Sequence, residues 1–159
     1  MHWQWDGADF EFLHPAAHFP YLENESSCVL RIEAGGSVAL LPGDIGEVVE
    51  RILVREHAPA LRADVVLVPH HGSRHSSTPG FIAATQARRA LVSAGYSNRF
   101  GHPDPEVVSR WQGEGAMVGN TAATGAQRLR LDANGVTFQG ERARRRRLWE
   151  GALSLAPDR

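Results

Sequence analysis

The first half of the chain alternates short apolar runs with turn residues, a pattern typical of short strands followed by a helix. Apolar positions predict strands at residues 10–13, 28–33 and 38–41, and the Ala-Gly-Gly sequence at 34–36 predicts a hairpin between the last two. Within residues 47–53, apolar side chains then recur with helical spacing and charged residues stand between them. We therefore expect an amphipathic helix directly after the third strand.

The second half begins with a continuous apolar run at residues 65–68, which indicates a strand buried on both faces. Thr78 followed by proline predicts the start of a short helix, and Asp104 followed by proline predicts another. Residues 90–93 predict a strand between these helices. A terminal antiparallel set of strands is expected at residues 116–118, 126–131 and 135–139. This order of elements predicts an α/β fold with helices outside the sheet.

Composition places the chain among ordinary folded domains. It has 159 residues, of which 42% are hydrophobic and 22% charged, which suits a single domain. There is neither an apolar run long enough to cross a bilayer nor a signal-peptide pattern, so the chain alone is expected to be soluble. Its single cysteine excludes a disulfide framework and a multi-cysteine zinc site. Five arginines fall within residues 142–147, so we expect a domain over 1–141 and a basic tail over 142–159.

Two predicted strands end on residues that commonly bind metals. Asp44 follows the strand at 38–41, and His70 and His71 follow the strand at 65–68. If these strands are parallel neighbours, the three side chains meet at one rim, because functional groups collect at the carboxyl ends of such strands. Carboxylate and neutral imidazole suit Zn²⁺ or Mn²⁺. Pro-Gly-Asp alone is also a common turn and helix start, but the two features together favour a site.

These turns also carry a resemblance to a known family. The sequences LLPGD at 40–44, PHHGS at 69–73 and NRFGHP at 98–103 resemble, in the same order, the C-terminal metallo-β-lactamase-like domain of ComEC-type competence proteins, which import transforming DNA. The resemblance extends over about residues 3 to 131. It implies a metallo-β-lactamase-like αββα sandwich, of which this chain would form the C-terminal portion.

The resemblance also implies roles for individual residues. Asp44 would be the acidic ligand that bridges two metal ions, and His70 a histidine ligand, with His71 beside the metal or facing the substrate. The reverse assignment of the two histidines stays open. His102 would contact a phosphate or protonate a leaving group, and a structural role in its loop is the alternative. The implied substrate-binding residues, for which loop ordering is the alternative, are Ser73, Ser76, Asn98 and Arg99.

The main metal-binding signature of this superfamily is absent from the sequence. It consists of histidine, any residue, histidine or aspartate, any residue, then Asp-His, and in the family order it would precede Trp3. The sequence therefore predicts an N-terminally truncated domain without two to three of the metal ligands. Because a two-metal hydrolytic site needs about six or seven protein ligands, Zn or Mn is expected in the complete domain. Weak or no metal binding, and no catalysis, is expected of this chain alone.

The implied function is phosphodiester hydrolysis by a metal-dependent nuclease domain that is attached to an inner-membrane competence protein. The implied partners are single-stranded DNA and the membrane-channel part of the same protein. A homodimer is also possible, because half of a sandwich would expose a face that is normally buried. Two alternatives remain open, a hydrolase of the same fold with a non-DNA substrate and a non-catalytic DNA-binding remnant.

Overall fold

The computed structural model describes residues 1–144 and has one mixed sheet at its centre. The strands of this sheet lie side by side in chain order, and they are β1 (His2–Trp5), β2 (Ala8–His14), β3 (Val29–Ala34), β4 (Ser37–Leu41), β5 (Val65–Leu67), β6 (Arg89–Val92) and β7 (Met117–Asn120). A separate hairpin contains β8 (Gln127–Asp132) and β9 (Gly135–Gly140). The helices are α1 (Glu47–His57), α2 (Pro79–Thr85), α3 (Pro105–Gly113) and the single turns α4 (Thr121–Thr124) and α5 (Glu141–Arg144).

The main sheet changes from antiparallel to parallel pairing at β4. Strands β1 to β4 form an antiparallel meander, whereas β4 to β7 pair in parallel, each with the next. Parallel neighbours need a long crossover connection, and α1, α2 and α3 supply these crossovers. The carboxyl ends of β4, β5 and β6 therefore meet at one edge of the sheet.

Helices α1, α2 and α3 cover one face of this sheet. The core on this face includes Leu40, Val66, Val92, Phe81 and Trp111, each at most 1% exposed. Both helix starts that the sequence predicts are confirmed, because Thr78 accepts from the Phe81 amide and Asp104 accepts from the Glu106 amide. These caps fix where each helix begins relative to the strand before it.

The β8–β9 hairpin covers the opposite face. Successive strand residues point to opposite faces, so Ala39, Val65 and Leu91 point away from the helices. They pack against apolar side chains of the hairpin, namely Leu129, Leu131, Val136 and Phe138. The strand at β5 is thus buried on both faces, as its continuous apolar run predicts.

The α/β class predicted from the sequence is confirmed, whereas one strand is predicted with the wrong pairing and another is missed. Residues 116–118 are predicted in a terminal antiparallel set, but β7 pairs in parallel with β6, because α3 returns the chain to the edge of the main sheet. Strand β1 is not predicted at all, although Trp3 and Trp5 alternate there with polar residues. The metallo-β-lactamase-like arrangement stays a prediction.

The predicted basic tail at 142–159 lies largely outside the described residues, since description ends at residue 144. Among the helices of residues 1–144, none combines the length and the apolar character that crossing a membrane requires.

Replacing Phe81 tests the helical layer. Phe81 is fully buried in the core, so we expect Phe81→Ala to lower the free energy of unfolding by about 3–5 kcal/mol. Val48 on α1 is 57% exposed, and Val48→Ala is expected to change this free energy by less than about 0.5 kcal/mol. Urea unfolding followed by circular dichroism measures both variants. Similar effects of the two substitutions would contradict the packing of Phe81 between helix and sheet.

Candidate functional site

A backbone hydrogen bond joins the turns that follow β4 and β5. The His70 amide donates to the Gly43 carbonyl over 3.0 Å, just beyond the last paired residues of the two strands. Gly43 has a φ of +64°, and a Cβ there would lie 2.8 Å from the Ser27 Cβ, so only glycine suits this turn. The bond brings Asp44, which follows Gly43, to the same rim as His70 and His71.

The backbone of the His-His-Gly turn is left-handed at three consecutive residues. His70 has φ 49° and ψ 43°, His71 has φ 54° and ψ 18°, and Gly72 has φ 79°. Such angles disfavour residues with a Cβ by about 1–2 kcal/mol each. Two bonds hold the turn in place, from the Ser73 amide to the His70 carbonyl and from the Asp104 amide to the Gly72 carbonyl. Backbone of this kind clusters at functional sites, and here it orients two imidazoles at the rim.

His71 is the imidazole that faces Asp44. Its Nε2 lies 3.6 Å from the Asp44 Oδ1, and both side chains are partly exposed. Its Nδ1 lies 2.8 Å from the Ser93 carbonyl oxygen. Because a carbonyl oxygen only accepts, Nδ1 carries a proton, and in the neutral ring Nε2 then presents a lone pair towards the rim. Ser93, the residue after β6, therefore sets the tautomer of His71.

His70 and His102 form the other half of the rim. The Asn24 side-chain amide lies 3.3 Å from the His70 Nε2, and the ring centroids of His70 and His102 are 6.2 Å apart. Burial, followed by the charges of His70 and His71, lowers the pKa of His102 below its usual 6.5, and Asp104 opposes this shift. The lowered pKa favours the neutral form of the His102 imidazole at neutral pH.

The loop after the His-His-Gly turn is ordered by its own serines. Ser76 is fully buried, and its hydroxyl donates to the carbonyls of Pro69 and Ser73 over 2.9 Å each. Ser73 is itself 7% exposed. This geometry gives Ser76 a role within the loop, and the contact of either serine with a substrate stays a prediction.

Glu50 and Arg110 support this loop from the helical layer, and sequence reasoning missed both. The fully buried Glu50 carboxylate accepts from the Ser77 and Thr78 amides over 2.5 and 2.6 Å. Burial raises the pKa of Glu50, and these hydrogen bonds oppose the rise. Arg110 donates to the carbonyls of Ser76 and Ser77. For Glu50, the signal that could have predicted its burial was helical spacing. Glu50 is three positions before Leu53, so it lies beside the apolar stripe of α1.

Asn98 and Arg99 have different environments in the loop between β6 and α3. The Asn98 amide donates to the carbonyls of Gly95 and His102, and its oxygen accepts from the His102 amide. Arg99 is exposed, with its guanidinium 4.7 Å from the centre of the Phe100 ring. Asn98 therefore braces the loop, whereas Arg99 is accessible to an anion.

The described residues do not by themselves fit a hydrolytic metal centre. Within residues 1–144, no three side chains of histidine, cysteine, aspartate or glutamate are grouped so that they could hold a metal ion, and a catalytic zinc site takes three protein ligands. The sequence predicts Asp44 and His70 as ligands. In the structure His71, rather than His70, faces Asp44, while the His70 Nε2 lies beside Asn24.

Replacing Gly72 tests the strained turn. A Cβ there would lie 2.6 Å from the Pro103 Cβ and would need a φ of +79°. We expect Gly72→Ala to lower the free energy of unfolding by at least about 2 kcal/mol. Gly113, in α3, has open space around it, and the control Gly113→Ala is expected to raise this free energy by about 0.5–1 kcal/mol. Urea unfolding measures both, and a neutral Gly72→Ala would contradict the geometry of the turn.

The pKa of His102 tests the proximity of the imidazoles. We expect nuclear magnetic resonance titration to place this pKa below 6.5. His70→Ala is expected to raise it, because the electrostatic effect by which His70 lowers the His102 pKa is removed. His2→Ala, on β1, is the control and is expected to leave it unchanged. An unchanged His102 pKa in His70→Ala would show that the two rings do not interact.

Known proteins include relatives of this chain, although no family model matches it. It is 39% identical over 137 residues to Competence protein ComA of Neisseria gonorrhoeae, 36% over 129 residues to ComE operon protein 3 of Bacillus subtilis and 29% over 142 residues to Recombination protein 2 of Haemophilus influenzae. These alignments cover 86%, 81% and 89% of this chain but 20%, 16% and 18% of the relatives. The chain therefore spans a fifth or less of the length of these curated relatives.

The motifs at the two strand-end turns predict this kinship, and the relatives confirm it. Identity extends far beyond the motifs, since each alignment covers more than four fifths of the chain. The chain is thus a homologue of one segment of the ComEC-type competence proteins.

Proposed function

We propose that this chain is a segment of a DNA-uptake protein that contacts the incoming DNA strand. We also propose that its rim forms part of a site for phosphodiester hydrolysis. The observation that carries this proposal is the rim itself, where Asp44 after β4 faces His71 after β5, and where His70 lies beside the ring of His102. The rim lies in a chain that is homologous, over most of its length, to proteins named for competence. Phosphodiester is the linkage of the polymer that competence proteins would handle.

The rim residues suit contact with a phosphodiester. Imidazole nitrogens can donate to phosphate oxygens or accept a proton. The lowered pKa of His102 favours the neutral ring, which has one nitrogen for each of these roles. The exposed Arg99 lies on the adjoining loop and can contact a phosphate. Zn²⁺ or Mn²⁺ is the proposed cofactor, with its remaining ligands supplied from outside the described residues. The membrane-channel part of the longer protein is the proposed partner.

A DNA-uptake assay tests the proposal in a complete protein. This chain would replace the matching segment of the gonococcal ComA protein, and transformation frequency would be measured in cells that carry the chimera. We expect the unsubstituted chimera to support transformation, and Asp44→Ala or His71→Ala to lower its frequency by about tenfold or more. Arg51→Ala, on the exposed side of α1, is the control. Equal transformation by the chimera and both rim variants would contradict the proposal.

Hydrolysis by the purified chain tests whether the rim is incomplete. With Mn²⁺ or Zn²⁺ and labelled single-stranded DNA, we expect no turnover. A catalytic zinc site takes three protein ligands, and no three metal-binding side chains of residues 1–144 are grouped closely enough to hold one ion. Turnover that Asp44→Ala abolishes would show that the chain completes a metal site by itself.

A purified chimera assayed on single-stranded DNA, bis(p-nitrophenyl) phosphate and a lactone separates a nuclease from a hydrolase with another substrate. Salt-dependent DNA binding without hydrolysis by this chimera would instead support a non-catalytic DNA-binding remnant.

A further inference from the structure

We propose that the loop between β6 and α3, residues 93–104, is a stacking platform for the bases of single-stranded DNA. That the ligand is DNA rests on the proposed function. The loop is the surface that would distinguish a single strand from a duplex. Three residues of this loop, Tyr96, Arg99 and Phe100, make up the base platform.

The base platform exposes two aromatic rings four residues apart. Tyr96 is 78% exposed and Phe100 is 66% exposed, although burial of such rings is normally favourable. Neither ring belongs to either core cluster of the fold. Since nucleobases stack on aromatic side chains without regard to sequence, exposed rings on a loop suit the binding of a strand of any sequence.

The loop that carries these rings is held in shape by Asn98. Its side chain makes three hydrogen bonds across the loop, donating to the Gly95 and His102 carbonyls and accepting from the His102 amide, at 3.1, 2.7 and 3.0 Å. The Gly72–Asp104 backbone bond ties the end of the loop to the His-His-Gly turn. A preformed platform loses less entropy when a ligand binds than a loop that must first be ordered.

A continuous row of rings leads from the base platform into the rim. The rings of Phe100 and His102 are nearly parallel, with an interplanar angle of 16° and centroids 5.9 Å apart. The His102 ring in turn lies 6.2 Å from the His70 ring. A base that stacks at the Phe100 end of this row would therefore lie within two rings of His70 at the rim.

Charge at the base platform also fits a nucleic acid strand. The Arg99 guanidinium lies over the Phe100 ring, 4.7 Å from its centroid, where it can pair with a phosphate or stack beside a base. A duplex would offer only its phosphates to this surface, because its bases are already paired and stacked. The platform should therefore add affinity for a single strand beyond the charge of the backbone.

Fluorescence anisotropy with the full chain tests this inference on three labelled probes: a 12-nucleotide oligothymidylate, an abasic 12-mer with the same backbone charge and a 12-base-pair duplex. We expect the oligothymidylate to bind most tightly. Phe100→Ala should weaken its binding about 5- to 150-fold, the effect of losing one stacked base, without changing the affinity for the abasic probe. Tyr96→Ala should show the same selective loss, and Phe100→Trp should retain binding. Val48→Ala, a substitution of an exposed apolar residue on α1, should change nothing.

Two results would overturn the stacking platform alone. One is equal weakening of oligothymidylate and abasic binding by Phe100→Ala, and the other is full retention of oligothymidylate binding by Phe100→Leu, which keeps apolar volume and removes the aromatic face. In either case DNA contact, and with it the proposed function, would stand. Failure of the unsubstituted chain to bind any of the three probes would overturn both proposals. Circular dichroism of each variant establishes that the fold is retained.

Discussion

One backbone hydrogen bond, from the His70 amide to the Gly43 carbonyl, joins the two turns from which the rim is built. Strands β4 and β5 pair at only two positions, Ala39 with Val65 and Leu40 with Val66. The bond extends this short ladder beyond the strands, into the turns where the polar residues lie. Because Asp44 and His71 each follow one partner of the bond, the separation of their side chains depends on it. Without the bond, the direct pairing of these two segments would end at Leu40 and Val66, before the polar residues.

The surrounding elements hold this geometry from two sides. On the helical side, the buried Glu50 carboxylate binds the amides of Ser77 and Thr78, which fixes the far end of the loop that begins at the rim. A buried carboxylate costs free energy unless it is well hydrogen-bonded, so its presence indicates that this loop position matters to the fold. On the other side, Gly72 lies so close to Pro103 that only glycine fits between them. The loop that carries His102 is thereby fixed against the His-His-Gly turn.

Much of this arrangement could be predicted from the sequence, because the relevant signals are local. The apolar run before PHHGS predicts a strand buried on both faces, and Thr78 and Asp104 mark helix starts that the structure confirms. The meeting of Asp44 with His71 follows from parallel pairing of neighbouring strands. Long-range contacts could not be predicted in the same way. The position of β7 beside β6, the choice of His71 over His70 to face Asp44, and the burial of Glu50 all depend on how distant elements pack.

The chain thus provides a hydrogen-bonded edge at which three loops present imidazoles, a carboxylate and exposed aromatic rings. The rim depends on the hydrogen bond between the turns after β4 and β5. Nuclear magnetic resonance measures this directly, through the scalar coupling across the hydrogen bond between the His70 nitrogen and the Gly43 carbonyl carbon. We predict a detectable coupling, together with slow exchange of the His70 amide proton with solvent. An absent coupling, with exchange at the rate of an unstructured peptide, would contradict a rim built on this bond.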